Sequence, residues 1–268
     1  MPAIAMIVHG ALPAVRIASA DGALAIVTLY GAHVVSWQTA DGAERLFCSA
    51  KSAMDGSRAI RGGIPIIFPQ FAERGDGMRH GFARVSTWRL AGSGMDADGA
   101  WAEFTLAPAD IAPAIASAWP HAFHLTLRVA VAAERLTLTL DVRNDGADEF
   151  DFAAALHTYF DVPDLAGVAI EGIEKGKMRL AEKIDRIYRQ IGRPITLTHE
   201  GGLLTLEQQG FGDAVVWNPG QADTAALADM DNEEYRHFVC IEPARVDAAP
   251  LAGGATWRGA HQVSARTR

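Results

Sequence analysis

Phe123-His124-Leu125-Thr126-Leu127-Arg128-Val129-Ala130-Val131 and Leu136-Thr137-Leu138-Thr139-Leu140-Asp141-Val142-Arg143, joined by Ala132-Ala133-Glu134-Arg135, decide the fold class. Apolar residues fall on every second position, twice in succession. This is the period of a strand with one buried face, not of a helix. A connection this short predicts that the two strands pair antiparallel.

The same reading extends in both directions. Asp-Gly dipeptides begin at 21, 41, 55, 76, 98 and 145, a density of tight-turn signals that fits many short strands joined by hairpins and loops. Upstream, residues 23–38 carry Val27, Leu29, Val34, Val35 and Trp37, with a bulge or bend expected at Gly31. Downstream, residues 150–160, 214–217 and 237–242 read as strands, the last two closed by Asn218-Pro219-Gly220 and by Pro243. Helical periodicity is weak, and the best helical stretches are 108–118 and 223–229. With no repeat, low-complexity tract or linker, residues 1–268 are expected to form one all-β sandwich domain of largely antiparallel strands.

Composition bounds the function. A net charge of −8 and a pI near 5.6 argue against nucleic acid as the main partner, which would require a broad basic face. Cys48 and Cys240 have no metal-ligand or redox spacing and are too few for a disulfide framework, so a cytoplasmic location is expected. The apolar run in residues 1–10 lacks a basic flank and does not read as a secretion signal, and no later stretch has the length of a membrane span. Walker-type loops and His-Glu-x-x-His helices do not occur.

Against this acidic background one region is basic. Arg58, Arg61, Arg74, Arg79, Arg84 and Arg89 are met by just Glu73 and Asp76. Gly62-Gly63 removes side chains where a ligand or another backbone must come close, while Pro65 and Pro69 stiffen the segment. Arg74 and Arg89 read as solvated surface charges. Arg61 and Arg84 sit in apolar, glycine-containing contexts where an unpaired charge is costly, so each is expected to meet a partner, a ligand phosphate among the candidates.

Two further residues complete a candidate site. The strand period puts His157 on one face with Tyr159, and Glu242 on one face with Phe238 and Cys240 at the end of a hydrophobic strand. Either residue alone is more economically a structural group. Together with the arginines they make a general acid/base pair beside an anion site.

In this order, Arg61-Gly62-Gly63-Ile64-Pro65 with Phe68-Pro69, His80-Gly81-Phe82-Ala83-Arg84, Leu156-His157-Thr158-Tyr159-Phe160, Trp217-Asn218-Pro219-Gly220 and Val239-Cys240-Ile241-Glu242-Pro243 resemble the aldose 1-epimerase superfamily, and more closely its glucose-6-phosphate 1-epimerase branch. The resemblance implies a galactose mutarotase-like β-sandwich, His157 as catalytic acid and Glu242 as catalytic base. It also implies Arg61 and Arg84 as phosphate ligands, Asp185 as a contact to a sugar hydroxyl, and His80 with the preceding Arg79 at the substrate. Arg79 stands where relatives commonly carry an uncharged polar residue. A monomer acting on a hexose 6-phosphate without metal or organic cofactor is the expectation, with acid and base on opposite sides of the sugar ring. Three rivals remain at this level: a non-catalytic carbohydrate-binding protein of the same fold, a mutarotase for unphosphorylated aldoses, and a glycosidase using Glu242 and Asp185 as its two carboxylates.

Overall fold

The computed structural model describes residues 3–180 and 182–266. The strands that decide the fold class, Phe123–Ala132 and Arg135–Asn144, pair antiparallel as expected, and along Arg135–Leu140 every second residue is buried. They lie within a nine-stranded antiparallel sheet. Its order is Met178–Arg179, Ala169–Glu171, Ile195–His199, Gly202–Gln209, Thr256–Arg266, Arg135–Asn144, Phe123–Ala132, Gly99–Leu106 and Arg89–Asp96. A four-stranded meander, Ile4–His9, Leu12–Ala18, Leu24–Thr28 and His33–Gln38, makes a second sheet. A third sheet carries the candidate site: Ile184–Tyr188, Asp213–Asn218, Phe238–Leu251, Phe150–Leu156 and Ile66–Ile67 in that order, with Tyr159–Asp161 also paired to Phe238–Leu251.

One hydrophobic cluster joins all three sheets. Val15, Ile17 and Trp37 from the meander meet Phe104, Leu127 and Leu138 from the large sheet and Phe152, Leu156, Val216 and Ile241 from the third. Each such side chain taken fully out of water contributes roughly 1.5–3 kcal/mol. The third sheet is also covered on its other face, where Ala155, Val215 and Ala244 pack with Phe71, and Tyr159, Phe238 and Cys240 pack with Phe47. Burial on both sides explains why residues 150–156 show no clean alternation.

Several local expectations are corrected. The stretch 108–118 is not one helix: a 3₁₀ turn Pro108–Asp110 precedes the helix Pro113–Ala118, because Pro113 opens a new helical start. The helix expected at 223–229 lies earlier, at Gly220–Thr224, with Thr224 Oγ1 donating back to the Gly220 carbonyl at 2.6 Å. At Gly31, φ +77°, the expected bend is present as the turn between two separate strands, while a bulge lies between Ile26 and Val27. Pro243 does not end its strand, which runs on to Leu251.

The register around Pro243 positions the site. Register fixed at Ala155↔Ala244 and Tyr159↔Cys240 places Leu156 opposite Pro243 and His157 opposite Glu242. Proline has no N–H to give to the Leu156 carbonyl, and that carbonyl instead accepts from Thr158 N at 2.8 Å. The ladder is interrupted at this notch, and His157 leaves it facing the outer surface of the sheet.

Candidate active site

The arginine-bearing segment is held against the edge of the third sheet by its carbonyls. Those of Gly63, Pro65 and Pro69 accept from the N–H groups of Tyr159, His157 and Ala153 at 2.9, 3.0 and 2.7 Å, and Ile66–Ile67 completes the pairing. The prolines thus supply acceptors on an edge that needs no donors from them. The close approach expected at Gly62-Gly63 is to backbone rather than to ligand: a Cβ at Gly62 would lie 2.4 Å from Cys48 Cα, and one at Gly63 2.2 Å from the Val34 carbonyl. This threading brings Arg61 beside Tyr159, two residues from His157.

Arg61, Arg79, His80, Arg84, His157, Asp185 and Glu242 all line one cleft of about 400 Å³. Arg58, Tyr159, Trp217 and Asp229 line it as well and were not anticipated as site residues. Tyr159 was readable from its shared face with His157. Asp229 had no local signal, because its partner is Arg61, far away in sequence.

Two residues hold the Arg61 guanidinium. Nε donates to Asp229 Oδ1 at 3.3 Å and Nη1 to the Tyr159 hydroxyl at 3.1 Å. Arg84 differs. Its Nη2 donates to the Arg79 carbonyl at 2.8 Å, its Nε is buried with no partner, and no carboxylate pairs with it among the described residues. Burial, then the charges of Arg61 and Arg79, pulls it down to about 10, so it remains a cation at neutral pH. Arg79 is exposed and paired with Glu73 at 3.1 Å, which makes its carbonyl the firmer contribution to the site. Arg74 and Arg89 lie on the surface as expected, paired with Asp247 and Asp110.

His80 has a positive φ of 62°, and Gly81 after it follows at 67°. Its Nδ1 accepts from Ala72 N–H at 3.3 Å, so a neutral ring carries its proton on Nε2. Burial, then Arg84, Arg79 and Arg61, pushes its pKa down to about 3, leaving a neutral hydrogen-bond donor beside His157, with ring centres 5.6 Å apart.

At the floor, His157 Nε2 lies 3.3 Å from Glu242 Oε1. The imidazole stacks on Tyr159 at 4.9 Å and meets the Trp217 edge at 5.7 Å. His157 Nδ1 and Glu242 Oε2 are buried with no partner among the described residues. Burial, helped by Asp185, pushes the Glu242 carboxyl well above its usual range. Burial, then His80, Arg84 and Arg61, pushes His157 well below its own. Both effects oppose a bare ion pair and favour a proton on Glu242 over one on His157. Asp185 is exposed at the rim, paired in register with Trp217. The donor atoms of His157, Cys240 and Glu242 lie within 4.8 Å of one another, and burial pushes the Cys240 thiol well above its usual range.

A sheet-borne cleft with a buried histidine–glutamate couple on its floor defines a class, and comparison with known proteins bears on it. The aldose 1-epimerase family model matches residues 13–182, and the chain belongs to that family. It is 35% identical to a "putative glucose-6-phosphate 1-epimerase" of Cenchrus ciliaris, covering 95% of this chain and 85% of that protein. To the protein of the same name from Escherichia coli K12 it is 32% identical, over 81% of this chain and 78% of the relative. Its fold matches the crystal structure of a "putative mutarotase" from Salmonella typhimurium with a TM-score of 0.88, at 26% identity and coverage of 100% and 95%. A galactose mutarotase-like protein from Clostridium acetobutylicum matches with a TM-score of 0.78 at 16% identity, covering 99% and 98%, which bears on the fold alone. The protein is therefore an epimerase with the galactose mutarotase-like β-sandwich.

Proposed function

We propose that the cleft interconverts the α and β anomers of a hexose 6-phosphate, glucose 6-phosphate foremost. The observation that carries this reading is the buried His157–Glu242 couple in the same cleft as Arg84, a guanidinium without a carboxylate partner among the described residues. Guanidinium groups meet phosphate oxygens through charge-assisted, often bidentate bonds. The names of the two curated relatives support the same substrate.

In the proposed reaction Glu242, as carboxylate, takes the proton of the C1 hydroxyl. The bond from C1 to the ring oxygen breaks with its electron pair going to that oxygen, which takes a proton from the His157 imidazolium. The open aldehyde turns about C1–C2 and closes on its other face by the reverse transfers. Acid and base were expected on opposite sides of the ring, whereas they lie side by side at 3.3 Å. Adjacency suits the chemistry, because the C1 hydroxyl and the ring oxygen are bonded to one carbon and leave the same edge of the sugar. Opening leaves Glu242 protonated and His157 neutral, the state that burial favours, and closing restores the charged form. Each positioned proton-transfer group is worth roughly 10²–10⁴ in rate.

Arg84 and the free edge of Arg61 are assigned to the phosphate, His80 Nε2–H to a substrate oxygen, and Asp185 to a sugar hydroxyl. Polarimetry on freshly dissolved single anomers of glucose 6-phosphate and of glucose tests the reading. Rapid equilibration of the phosphate ester with a much lower kcat/KM on glucose supports it. Equal kcat/KM on both sugars removes the phosphate assignment, and no acceleration of either removes the activity.

A further inference from the structure

The cleft joins its anion site to its proton-transfer couple more closely than a simple handle for the substrate requires. Arg61 donates to the Tyr159 hydroxyl at 3.1 Å, and the Tyr159 ring stacks on His157 with 12° between planes. On the other side stands the half-buried Arg84, and the His80 ring lies edge-to-face against His157. Charges facing His157 are therefore mostly positive. From its own sheet come Glu242, the couple's partner, the neutral Tyr159 and Cys240, and the exposed Asp185. From the segment after residue 57 come Arg58, Arg61, Arg79, Arg84 and neutral His80, with Asp229 already engaged by Arg61.

Building on the function proposed above, we infer that a dianion seated at Arg84 and Arg61 switches on the His157–Glu242 couple, so that the phosphate is an activator of the reaction as well as a handle for binding. A proton on His157 is repelled by both guanidinium groups, and neutralising them lets the couple keep its proton to higher pH. Coupling of this kind is reciprocal between anion and proton. It also spends the binding energy of a remote group on the chemical step. The consequence is a further activity: anomerisation of an unphosphorylated aldose, switched on by a separate inorganic dianion.

The substrate cut in two provides the test. α-D-Xylose supplies the reacting ring without the phosphorylated carbon, and inorganic sulfate supplies a dianion at every working pH. With the enzyme-free rate subtracted, sulfate is expected to raise kcat/KM for xylose at pH 8 at least tenfold. The rise should saturate at the concentration at which sulfate inhibits glucose 6-phosphate turnover, and it should shrink at pH 6, where the higher proton concentration favours the protonated couple without the anion. In Arg84→Gln the activation should disappear. Sulfate that leaves the xylose rate unchanged, or lowers it, while glucose 6-phosphate is still turned over makes the phosphate a handle alone and overturns the inference. Activation that is the same at pH 6 and pH 8, or that persists in Arg84→Gln, overturns it too. Failure to turn over glucose 6-phosphate at all would instead strike the function on which the inference rests.

Discussion

His157, between the strands Phe150–Leu156 and Tyr159–Asp161, stands opposite Glu242 at 3.3 Å because the register Ala155↔Ala244 and Tyr159↔Cys240 pairs them, beside the notch where Pro243 has no N–H for the Leu156 carbonyl. A backbone defect and the proposed proton-transfer couple thus share one place in the sheet. The strand partners on either side keep the two side chains in register, and strand alternation turns His157, like Tyr159, to the cleft. Holding His157 between two strand segments that both pair with the strand carrying Glu242 fixes the geometry of the two groups, which a reaction at one sugar carbon requires.

The arginines separate a sugar-phosphate enzyme from a plain aldose mutarotase. Arg84→Ala or Arg61→Ala is expected to lower kcat/KM for glucose 6-phosphate by an amount worth about 2–5 kcal/mol, the usual cost of removing one partner of a buried charge-assisted pair. Lysine keeps the charge and loses the fork, so Arg84→Lys should recover a part of that loss. Inorganic phosphate should compete with glucose 6-phosphate in the parent and poorly in the alanine variants. Steady-state kinetics with both sugars decides; equal losses on phosphorylated and free sugar would show that these residues hold the ring or the fold.

Glu242 should reduce stability at neutral pH. A carboxyl whose pKa is raised by folding contributes stability that is present below its ordinary value of 4.5 and lost as pH rises toward the folded value. Glu242→Gln has no charge to bury, so its Tm is expected to exceed that of the parent at pH 8 and to lose this advantage near pH 4. In a chain of this size each 1 kcal/mol moves Tm by about 2–4 °C. Thermal melts of both proteins across this range measure it, and a lower Tm for the variant at pH 8 would contradict the burial argument.

The arginine segment also has a structural weak point at Gly63. Its φ of +58° favours glycine, and a Cβ there would lie 2.2 Å from the Val34 carbonyl and 2.8 Å from His33 Nε2. Gly63→Ala should therefore cost about 3 kcal/mol or more, from backbone strain plus the clash. Activity should fall with it, because the Gly63 carbonyl accepts from Tyr159 N–H beside the couple. Denaturant unfolding gives the cost, and a variant as stable as the parent would show that the segment is less constrained.

The parts of the fold that were legible in the sequence are those with one wet face. Residues 123–143 announce themselves by alternation because one side of the large sheet is solvated. The third sheet is covered on both sides, so its strands appear as apolar runs and their ends were missed, at Pro243 most plainly. In the site, His157, Tyr159 and Glu242 could be read from strand faces, and Arg61 and Arg84 from charges stranded among apolar neighbours. Asp229 could not, since nothing in a turn after a five-residue helix points to an arginine on another segment. Nor could the adjacency of acid and base, which depends on the register across the sheet rather than on either motif.

Whether His157 and Glu242 act as one proton-transfer unit is read by magnetisation-exchange NMR on equilibrated glucose 6-phosphate, which follows anomer interconversion with no net reaction. His157→Asn and Glu242→Gln keep shape and remove proton transfer, and each should lower the exchange rate by about 10²–10⁴. Because a couple works as a unit, the double variant should be hardly slower than the slower single one. Two mild losses that multiply in the double variant would mean that these residues bind the sugar independently, and would contradict the mechanism.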